Sequence, residues 1–222
     1  MTTGPILALD ASAAACSVAI RAGGASVAWR DVPMARGHAE TLMPLVMETL
    51  AEAGLAFDAL DKIAVGVGPG SFTGIRIALA AARGIGLAAN KPVVGIDSFS
   101  AIAAAVPPAA LVGRSLLVIV DSKRAELFGQ YFDSHHHPLG EPLILLPEAM
   151  LEHRPAGALL IAGDAAGQLA APDISRAEDA DRPDARNIAR LAEQGRVLLE
   201  PCPLYLRAAD VTLPVSQSKT AP

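Results

Sequence analysis

A chain of 222 residues is long enough to bury a substantial core in one large domain or in two small lobes. Its net charge of −5 and aromatic content of 4% exclude a basic, ring-rich nucleic-acid-binding surface spread over the whole molecule. No signal-peptide pattern opens the chain and Arg83 interrupts its longest apolar run, which predicts a cytoplasmic protein that does not span a membrane.

The first half of the chain alternates strands with helices after an opening meander. Apolar runs bounded by turn residues predict strands over 6–9, 15–20, 25–30, 63–67 and 93–96. Helical patterns run over 39–54, over 71–90 and over 98–106. The pair Pro107-Pro108 then marks a lobe boundary.

The second half has fewer elements. Strands are predicted over 116–120, 126–131 and 159–162, and an amphipathic helix over 184–195. These patterns predict an α/β protein with a mixed five-stranded sheet flanked by helices. The predicted division is an N-terminal lobe over 1–107, a smaller C-terminal lobe over 108–213 and a flexible tail over 214–222. The last segment of the second lobe is a candidate to pack back on the first.

A glycine-rich turn over 66–74 follows a buried strand and precedes a helix. A phosphate-binding loop of the Walker type needs Gly-Lys-Ser/Thr, but Gly74 is followed by Ile75 and Arg76. The dinucleotide fingerprint also fails, because the third glycine arrives one residue early. The spacing therefore favours a tight turn over a phosphate cradle.

The helix after this turn is apolar almost all round. Its charged residues, Arg76 and Arg83, form one narrow stripe with Asn90. Such a helix must be covered on two sides, either within one subunit or by a neighbouring subunit. A chain of this size has few helices left to cover it, so a contact between subunits is favoured. The small residues predicted to let a neighbour come close are Gly74, Ala78, Ala81, Ala82 and Ala89.

Two strand ends carry side chains that an actin-like ATPase would use for phosphate. Asp10 and Ser12 occupy the first hairpin, and Asp121 ends a second apolar strand. Alanines replace the glycines that phosphate hairpins usually carry, so we interpret Asp10, Ser12 and Asp121 as a vestigial phosphate loop. A plain turn stabilised by the Asp and Ser side chains is the alternative. The five histidines lack metal-ligand spacing, which predicts no metal site.

Several stretches together resemble one family, in order and at family-like spacing. They are Ile6-Leu-Ala-Leu-Asp-Ala-Ser12, Ala15-Cys-Ser-Val-Ala19, Arg36-Gly-His38, Leu42-Met-Pro44, Gly68-Pro-Gly-Ser-Phe-Thr-Gly-Ile-Arg76, Gly95-Ile-Asp-Ser98, Asp121-Ser-Lys-Arg-Ala-Glu126 and Tyr205-Leu-Arg207. The chain resembles the TsaB (YeaZ) family, subunits of the bacterial machinery that makes threonylcarbamoyladenosine at position 37 of tRNA.

The resemblance implies an actin/Hsp70-like (ASKHA) two-lobe fold with a reduced second lobe. It implies a heterodimer with the catalytic paralogue TsaD, contact with the ATPase TsaE through that complex, and a homodimer as a further state of the chain alone. Contact with tRNA is expected only through the complex. TsaD-like proteins carry a metal-binding His-x-x-x-His that this chain lacks, so ATP and metal are expected on the partner subunits and no cofactor on this one.

The resemblance also implies that the helices over 39–54 and 71–90 form the contact with TsaD or with a second copy. The candidate interface residues are Leu42, Met43, Val46, Met47, Leu50, Gly74, Ala78, Ala81, Ala82, Ile85 and Ala89. The resulting hypothesis is a non-catalytic dimerisation and scaffold subunit that stabilises or activates TsaD. The alternative is an autonomous enzyme, either an ATPase that uses Asp10 and Asp121 or a glycoprotease-like peptidase.

Overall fold

The computed structural model describes residues 4–169, 171 and 173–207 of the chain. Two five-stranded sheets form the centres of two lobes, and each sheet mixes parallel with antiparallel pairs. This pair of sheet-centred lobes confirms the predicted actin/Hsp70-like fold class. Residues 1–3 of the predicted first lobe, 208–213 of the predicted second lobe and the predicted tail over 214–222 lie outside the described residues.

The sheet of the first lobe contains the opening meander and two later strands. Its strands are β1 (Ile6–Ala13), β2 (Ala15–Ala22), β3 (Ala25–Pro33), β4 (Lys62–Gly66) and β5 (Val93–Ile96). The first three pair antiparallel through tight turns, and β4 and β5 add parallel on the other side of β1. The order β3-β2-β1-β4-β5 puts β1 in the middle, which is why its apolar run is buried.

Helices cover both faces of this sheet. The helices of the described residues are α1 (His38–Ala53), α2 (Phe72–Ala89), α3 (Ser98–Ala103), α4 (Pro147–Met150) and α5 (Ala185–Glu193). Of these, α1 and α2 pack on one face of this sheet and α5 with part of α3 on the other, whereas α4 packs in the second lobe. Successive side chains of a strand point to opposite faces. Leu7 and Leu9 of β1 therefore pack with α1 and α2, whereas Ile6 and Ala8 pack with α5.

The second lobe has a sheet of similar strand number but fewer helical residues around it. Its strands are β6 (Arg114–Asp121), β7 (Leu127–Phe132), β8 (Leu143–Leu145), β9 (Ala158–Ala162) and β10 (Ile174–Arg176), in the order β10-β9-β6-β7-β8. The three-residue edge strands β8 and β10 are absent from the sequence-based prediction. On one face this sheet packs against α3, which begins at Asp97 through a 2.8 Å hydrogen bond from Ser100 N–H to the Asp97 carboxylate.

The C-terminal part of the described chain returns to the first lobe. Helix α5 buries Ile188 and Ala189 against the sheet. The segment after it pairs with β5, because Gly95 N–H donates to Leu199 C=O at 2.8 Å and Leu199 N–H donates back at 2.9 Å. Leu204 N–H then donates to Val67 C=O at 2.8 Å. Residues 185–204 are thus held against strands that lie more than 90 residues earlier.

Helix α2 has the length and a mean hydropathy of 1.3 that would suit a membrane span. Core helices of globular proteins can have the same length and hydropathy. Here the buried side chains of α2, which include Ile75 and Leu79, pack in the core formed with the first sheet. This packing is that of a helix lying on a protein core.

Candidate functional site

Helix α1 has one face on the sheet and one face open. It begins after Gly37 and ends at Gly54, whose φ values of 88° and 65° are those that glycine adopts without strain. The side chains that it buries are Leu42, Leu45, Val46, Thr49 and Leu50. Met43 and Met47 project from the other side and are exposed.

Helix α2 packs directly on the sheet at two of its glycines, Gly74 and Gly86. Ser71 caps the helix by accepting a 3.2 Å hydrogen bond from Gly74 N–H. A Cβ added at Gly74 would lie 1.8 Å from the carbonyl oxygen of Ala11, and one added at Gly86 would lie 2.4 Å from Val93 Cγ2. The small side chains on this face of α2 therefore make room for the chain's own strands.

The predicted interface residues divide into two groups. Seven are buried in the chain's own core, namely Leu42, Val46, Leu50, Gly74, Ala78, Ala82 and Ile85. They contact the sheet of the same subunit, so the small-residue face that the sequence favoured for a partner is occupied internally. Ile85 is 7% exposed and lies at the edge of the core. Met43, Met47, Ala81 and Ala89 reach the surface, where their role in an interface stays a prediction.

An open apolar groove lies between the outer sides of the two helices. It has a volume of about 510 Å³ and is closed at one end by the short turn Phe57–Ala59. The groove is lined by Met43, Phe57, Asp58, Ala80, Ala81, Gly84, Ile85, Ala88 and Ala89. Asp58 is the one charged residue in this lining, so the groove resembles the surface that a helix presents to another helix.

Five residues of this groove are absent from the sequence-based prediction, namely Phe57 and Asp58 of the short turn and three small residues of α2. Ala80, Gly84 and Ala88 recur every four residues along the exposed side of α2. That spacing places small side chains on one line and allows a second backbone to approach closely. This four-residue spacing is visible in the sequence. However, Gly74, Ala78 and Ala82 on the buried side have the same spacing, so the spacing alone does not identify the exposed side.

A second cavity of about 290 Å³ separates the two lobes, where an actin-like protein would hold a nucleotide. Ser12 and Asp121 both line it, so the structure brings these two predicted residues to one cleft. Asp10 is 1% exposed and lies beneath the surface. Its Oδ1 accepts a 2.9 Å hydrogen bond from Ser12 N–H, and its Oδ2 accepts one of 2.9 Å from Ser12 Oγ.

Burial sets the chemistry of the Asp10 carboxyl group. Removal from water raises its pKa from 3.8 to about 6, and the hydrogen bonds from Ser12 oppose that rise without cancelling it. The carboxyl group is therefore buried and hydrogen-bonded to Ser12 within the β1–β2 hairpin.

The glycine turn rests directly on this hairpin. Ser71 N–H donates to Ser12 C=O at 2.7 Å. A Cβ at Gly66 would lie 1.8 Å from Asp10 Oδ2, and one at Gly70 would lie 2.5 Å from Ser12 C=O. The absence of side chains at these glycines lets the turn over 66–74 pack against the β1–β2 hairpin. This packing agrees with the interpretation of the sequence as a tight turn.

Asp121 is paired within its own turn on the opposite wall of the cleft. Lys123 Nζ lies 2.8 Å from Asp121 Oδ2, and Lys123 N–H donates to Oδ1 at 2.7 Å. The lysine holds the pKa of the Asp121 carboxyl below its usual value. Asp121 N–H donates at 2.8 Å to Asp164 Oδ1, and burial raises the pKa of that second carboxyl. The Asp121 carboxylate and the Lys123 ammonium group are thus already paired with each other in the chain without a ligand.

Metal-ligating side chains do not cluster among residues 4–169, 171 and 173–207. Within them no three His, Cys, Asp or Glu side chains converge to hold a metal ion. His137 Nδ1 lies 3.2 Å from Asp133 Oδ2, and His135 stacks on His137 with ring centroids 6.1 Å apart. This loop is an exposed turn stabilised by Asp133.

Sequence comparisons link the chain to tRNA modification proteins. The family model described as TsaD, tRNA N6-adenosine threonylcarbamoyltransferase, matches residues 32–213. The tRNA threonylcarbamoyladenosine biosynthesis protein TsaB of Haemophilus influenzae is 39% identical over 100 residues, which are 45% of this chain and 42% of that protein. The match thus spans less than half the length of that relative. An uncharacterised protein of Mycobacterium tuberculosis is 32% identical over 178 residues, 79% of this chain and 78% of its own length.

Solved structures add a match over nearly the whole chain. YeaZ from Pseudomonas aeruginosa superposes with a TM-score of 0.80 at 27% sequence identity. The superposition covers 92% of this chain and 100% of that one. Both described lobes therefore have counterparts in that structure.

Proposed function

The chain belongs to the TsaB/YeaZ family, and from this premise we propose that it is a non-catalytic subunit of the machinery that forms threonylcarbamoyladenosine in tRNA. It docks in the cytoplasm onto TsaD, the related transferase, and stabilises or activates that subunit. The observation that carries the proposal is the apolar groove between α1 and α2.

The groove suits a helix pair from a protein of the same fold. Its floor of Ala80, Gly84 and Ala88 admits close backbone approach, while Met43 and Phe57 form apolar walls. Because the TsaD family model matches this chain, TsaD carries related helices. Two such helix pairs can pack across a pseudo-twofold axis, and a second copy of this chain can do so when TsaD is absent.

The cleft between the lobes supports the non-catalytic part of the proposal. The Ser12 amide is used by Asp10, and the Asp121 carboxylate by Lys123. This hairpin does not fit a nucleotide phosphate, which would need free amides at that place. In this proposal, ATP and metal bind to the partner subunits. TsaE associates with the chain through the complex with TsaD, and the chain meets tRNA as part of that complex.

The decisive experiment places a charge in the groove. Gly84→Glu and Ala88→Glu change exposed helix positions, so the fold should survive, but docking would bury a carboxylate against apolar side chains. We expect each variant to lower affinity for TsaD about a hundredfold or more. Light scattering gives the molar mass of the mixture, and transfer to tRNA is assayed with TsaD, TsaE and a threonylcarbamoyl-adenylate source.

Ala109→Glu is the matched control, since it adds the same charge at an exposed position of the second lobe, outside the groove. It should bind TsaD as the parent does. A complex that survives both groove variants would show that the interface lies elsewhere. Transfer to tRNA by this chain alone would contradict the non-catalytic role.

A further inference from the structure

A basic and aromatic groove opens on a different side of the glycine turn. It has a volume of about 480 Å³ and lies between the start of α2, the turn after β6 and the segment over 204–207. Its polar and aromatic lining includes Phe72, Arg76, Ser122, Arg124, Tyr205 and Arg207. None of these residues belongs to the partner groove between α1 and α2.

Three of these side chains form a fixed stack. The Arg76 guanidinium carbon lies 3.6 Å from the centre of the Phe72 ring, and Arg76 Nε donates a 3.0 Å hydrogen bond to the Tyr205 hydroxyl. The rings of Phe72 and Tyr205 are 5.6 Å apart with planes 25° from parallel. The stack is therefore organised before any ligand binds.

The stack is nevertheless open to solvent. Phe72 is 53% exposed and Tyr205 is 47% exposed, which is unusual for two large rings held in register. A stack that only anchored the C-terminal segment would be expected to cover its rings. These two rings instead offer planar surface beside the arginines.

The charge of the groove is opposite to that of the molecule. The chain has a net charge of −5, yet the charged residues lining this groove are Arg76, Arg124 and Arg207, without an acidic residue. Glu126 lies beside it, 3.2 Å from Arg207, and its carboxylate interacts with the charges of both Arg207 and Arg124. A local positive site on an acidic protein attracts an anion at this place.

We infer that this groove binds a single-stranded segment of RNA, with a base stacked on the Phe72–Tyr205 platform and phosphates held by the arginines. Planar rings beside guanidinium groups are the chemistry by which proteins hold unpaired nucleotides. An acidic protein segment would use the charges but not the exposed rings. The choice of tRNA as the natural RNA rests on the proposed function, whereas the groove itself does not.

The test measures RNA affinity of the full chain and of its complex with TsaD. The probes are a fluorescent single-stranded RNA of mixed sequence for the chain alone and an unmodified tRNA for the complex. Arg76→Gln and Arg124→Gln should each lower affinity about tenfold at low salt and reduce the log–log salt slope by about 0.7. Tyr205→Leu should lower affinity between about tenfold and a hundredfold, and Tyr205→Phe, which keeps the ring, should lower it less.

Two matched controls separate binding from folding. Arg114→Gln removes an exposed arginine of the second lobe that lies outside the groove, and affinity should not change. Arg83, on the same helix as Arg76, donates from Nε to Pro201 C=O at 2.9 Å. Arg83→Gln therefore loosens the segment that carries Tyr205 without removing a charge from the groove, and it should lower affinity clearly less than Arg76→Gln does.

Several outcomes would overturn the inference. One is an equal loss of RNA affinity in Arg83→Gln and Arg76→Gln. Another is that the groove variants weaken association with TsaD but leave tRNA affinity unchanged. A third is full displacement of the RNA by excess ATP, which would assign the groove to a free nucleotide. If the complex forms and RNA binding ignores the arginines, only this inference fails. If no complex forms but the arginines still govern RNA binding by the chain alone, the inference stands and the proposed docking fails.

Discussion

Asp10 places a carboxyl group inside the first lobe, with Ser12 donating to both of its oxygens. Burial raises its pKa to about 6, against 3.8 for an exposed carboxyl group. Between these two values the folded chain holds a proton that the unfolded chain has released. Stability must then fall as the pH rises through this window.

Asp10→Asn should remove this pH dependence while preserving the shape of the hairpin. We expect parent and variant to be similarly stable near pH 3.5, and the variant to be more stable near pH 7.5 by about 3 kcal/mol, because ionising the buried carboxyl has a cost. Urea unfolding at the two pH values measures the difference.

Asp121→Asn is the matched control with the opposite sign. Lys123 lowers the pKa of Asp121, so the ion pair stabilises the fold above the unfolded pKa and is lost as the pH falls through the folded one. The Asp121 variant should lose stability at neutral pH. A stability gain for Asp10→Asn that is the same at both pH values would contradict the assignment.

Helix α2 carries two small-residue lines with different environments. Gly74 lies against the Ala11 carbonyl with no room for a methyl group, whereas a Cβ at Gly84 would meet nothing within 4 Å. Close packing against β1 therefore requires glycine at position 74. At position 84, glycine lowers the stability of the helix and leaves the groove without a side chain at that point.

Alanine at these two glycines should have opposite effects on stability. Gly74→Ala forces its methyl group into β1 and should cost about 3 kcal/mol or more. Gly84→Ala should stabilise the helix by about 1 kcal/mol, which raises Tm by about 3 °C for a chain of this size. Thermal unfolding followed by circular dichroism measures both, and a stabilised Gly74 variant would show that α2 lies further from the sheet.

The whole molecule is tied together by elements that cross between the lobes. Ala101 of α3 packs in the core of the first lobe, while Phe99 and Ile102 pack in that of the second. Helix α5 follows the second sheet in sequence but covers Ile6 and Ala8 of the first. Neither sheet has its full apolar cover without residues from the other half of the chain.

We therefore expect the two lobes to unfold in one transition. Trp29, the single tryptophan, reports on β3 of the first lobe, and far-UV circular dichroism reports on both lobes. Their urea midpoints should coincide. Two separated midpoints would show that α3 and α5 contribute little to coupling.

The sequence predicted elements best where an apolar run was long and bounded by turn residues. The strands β1, β2, β4, β6, β7 and β9 were found in this way, with bounds shifted by a few residues. The strands β8 and β10 have three residues each, too few for a period to be seen. Their pairing with β7 and β9 depends on neighbours that the local pattern does not contain.

For a similar reason, the sequence did not separate the buried from the exposed members of the candidate interface residues. Met43, Met47, Ala81 and Ala89 reach the surface, while Leu42, Val46, Leu50, Gly74, Ala78 and Ala82 are core residues. Of the vestigial phosphate loop, Ser12 and Asp121 meet at the cleft, and Asp10 lies beneath it. Burial depends on which strand lies opposite, and a local pattern does not identify that strand.

By itself, the sequence determined the alternation of strands and helices, the tight glycine turn over 66–74 and the motifs that mark the family, because each rests on neighbouring residues. Only the tertiary structure decided which side of α2 is buried against the sheet and which side stays exposed. Gly74, Ala78 and Ala82 are chemically like Ala80, Gly84 and Ala88, so periodicity offers no contrast between the two sides. The carbonyl of Ala11, 63 residues earlier in the chain, occupies the space that a side chain at Gly74 would need, and this close contact places Gly74 on the buried side.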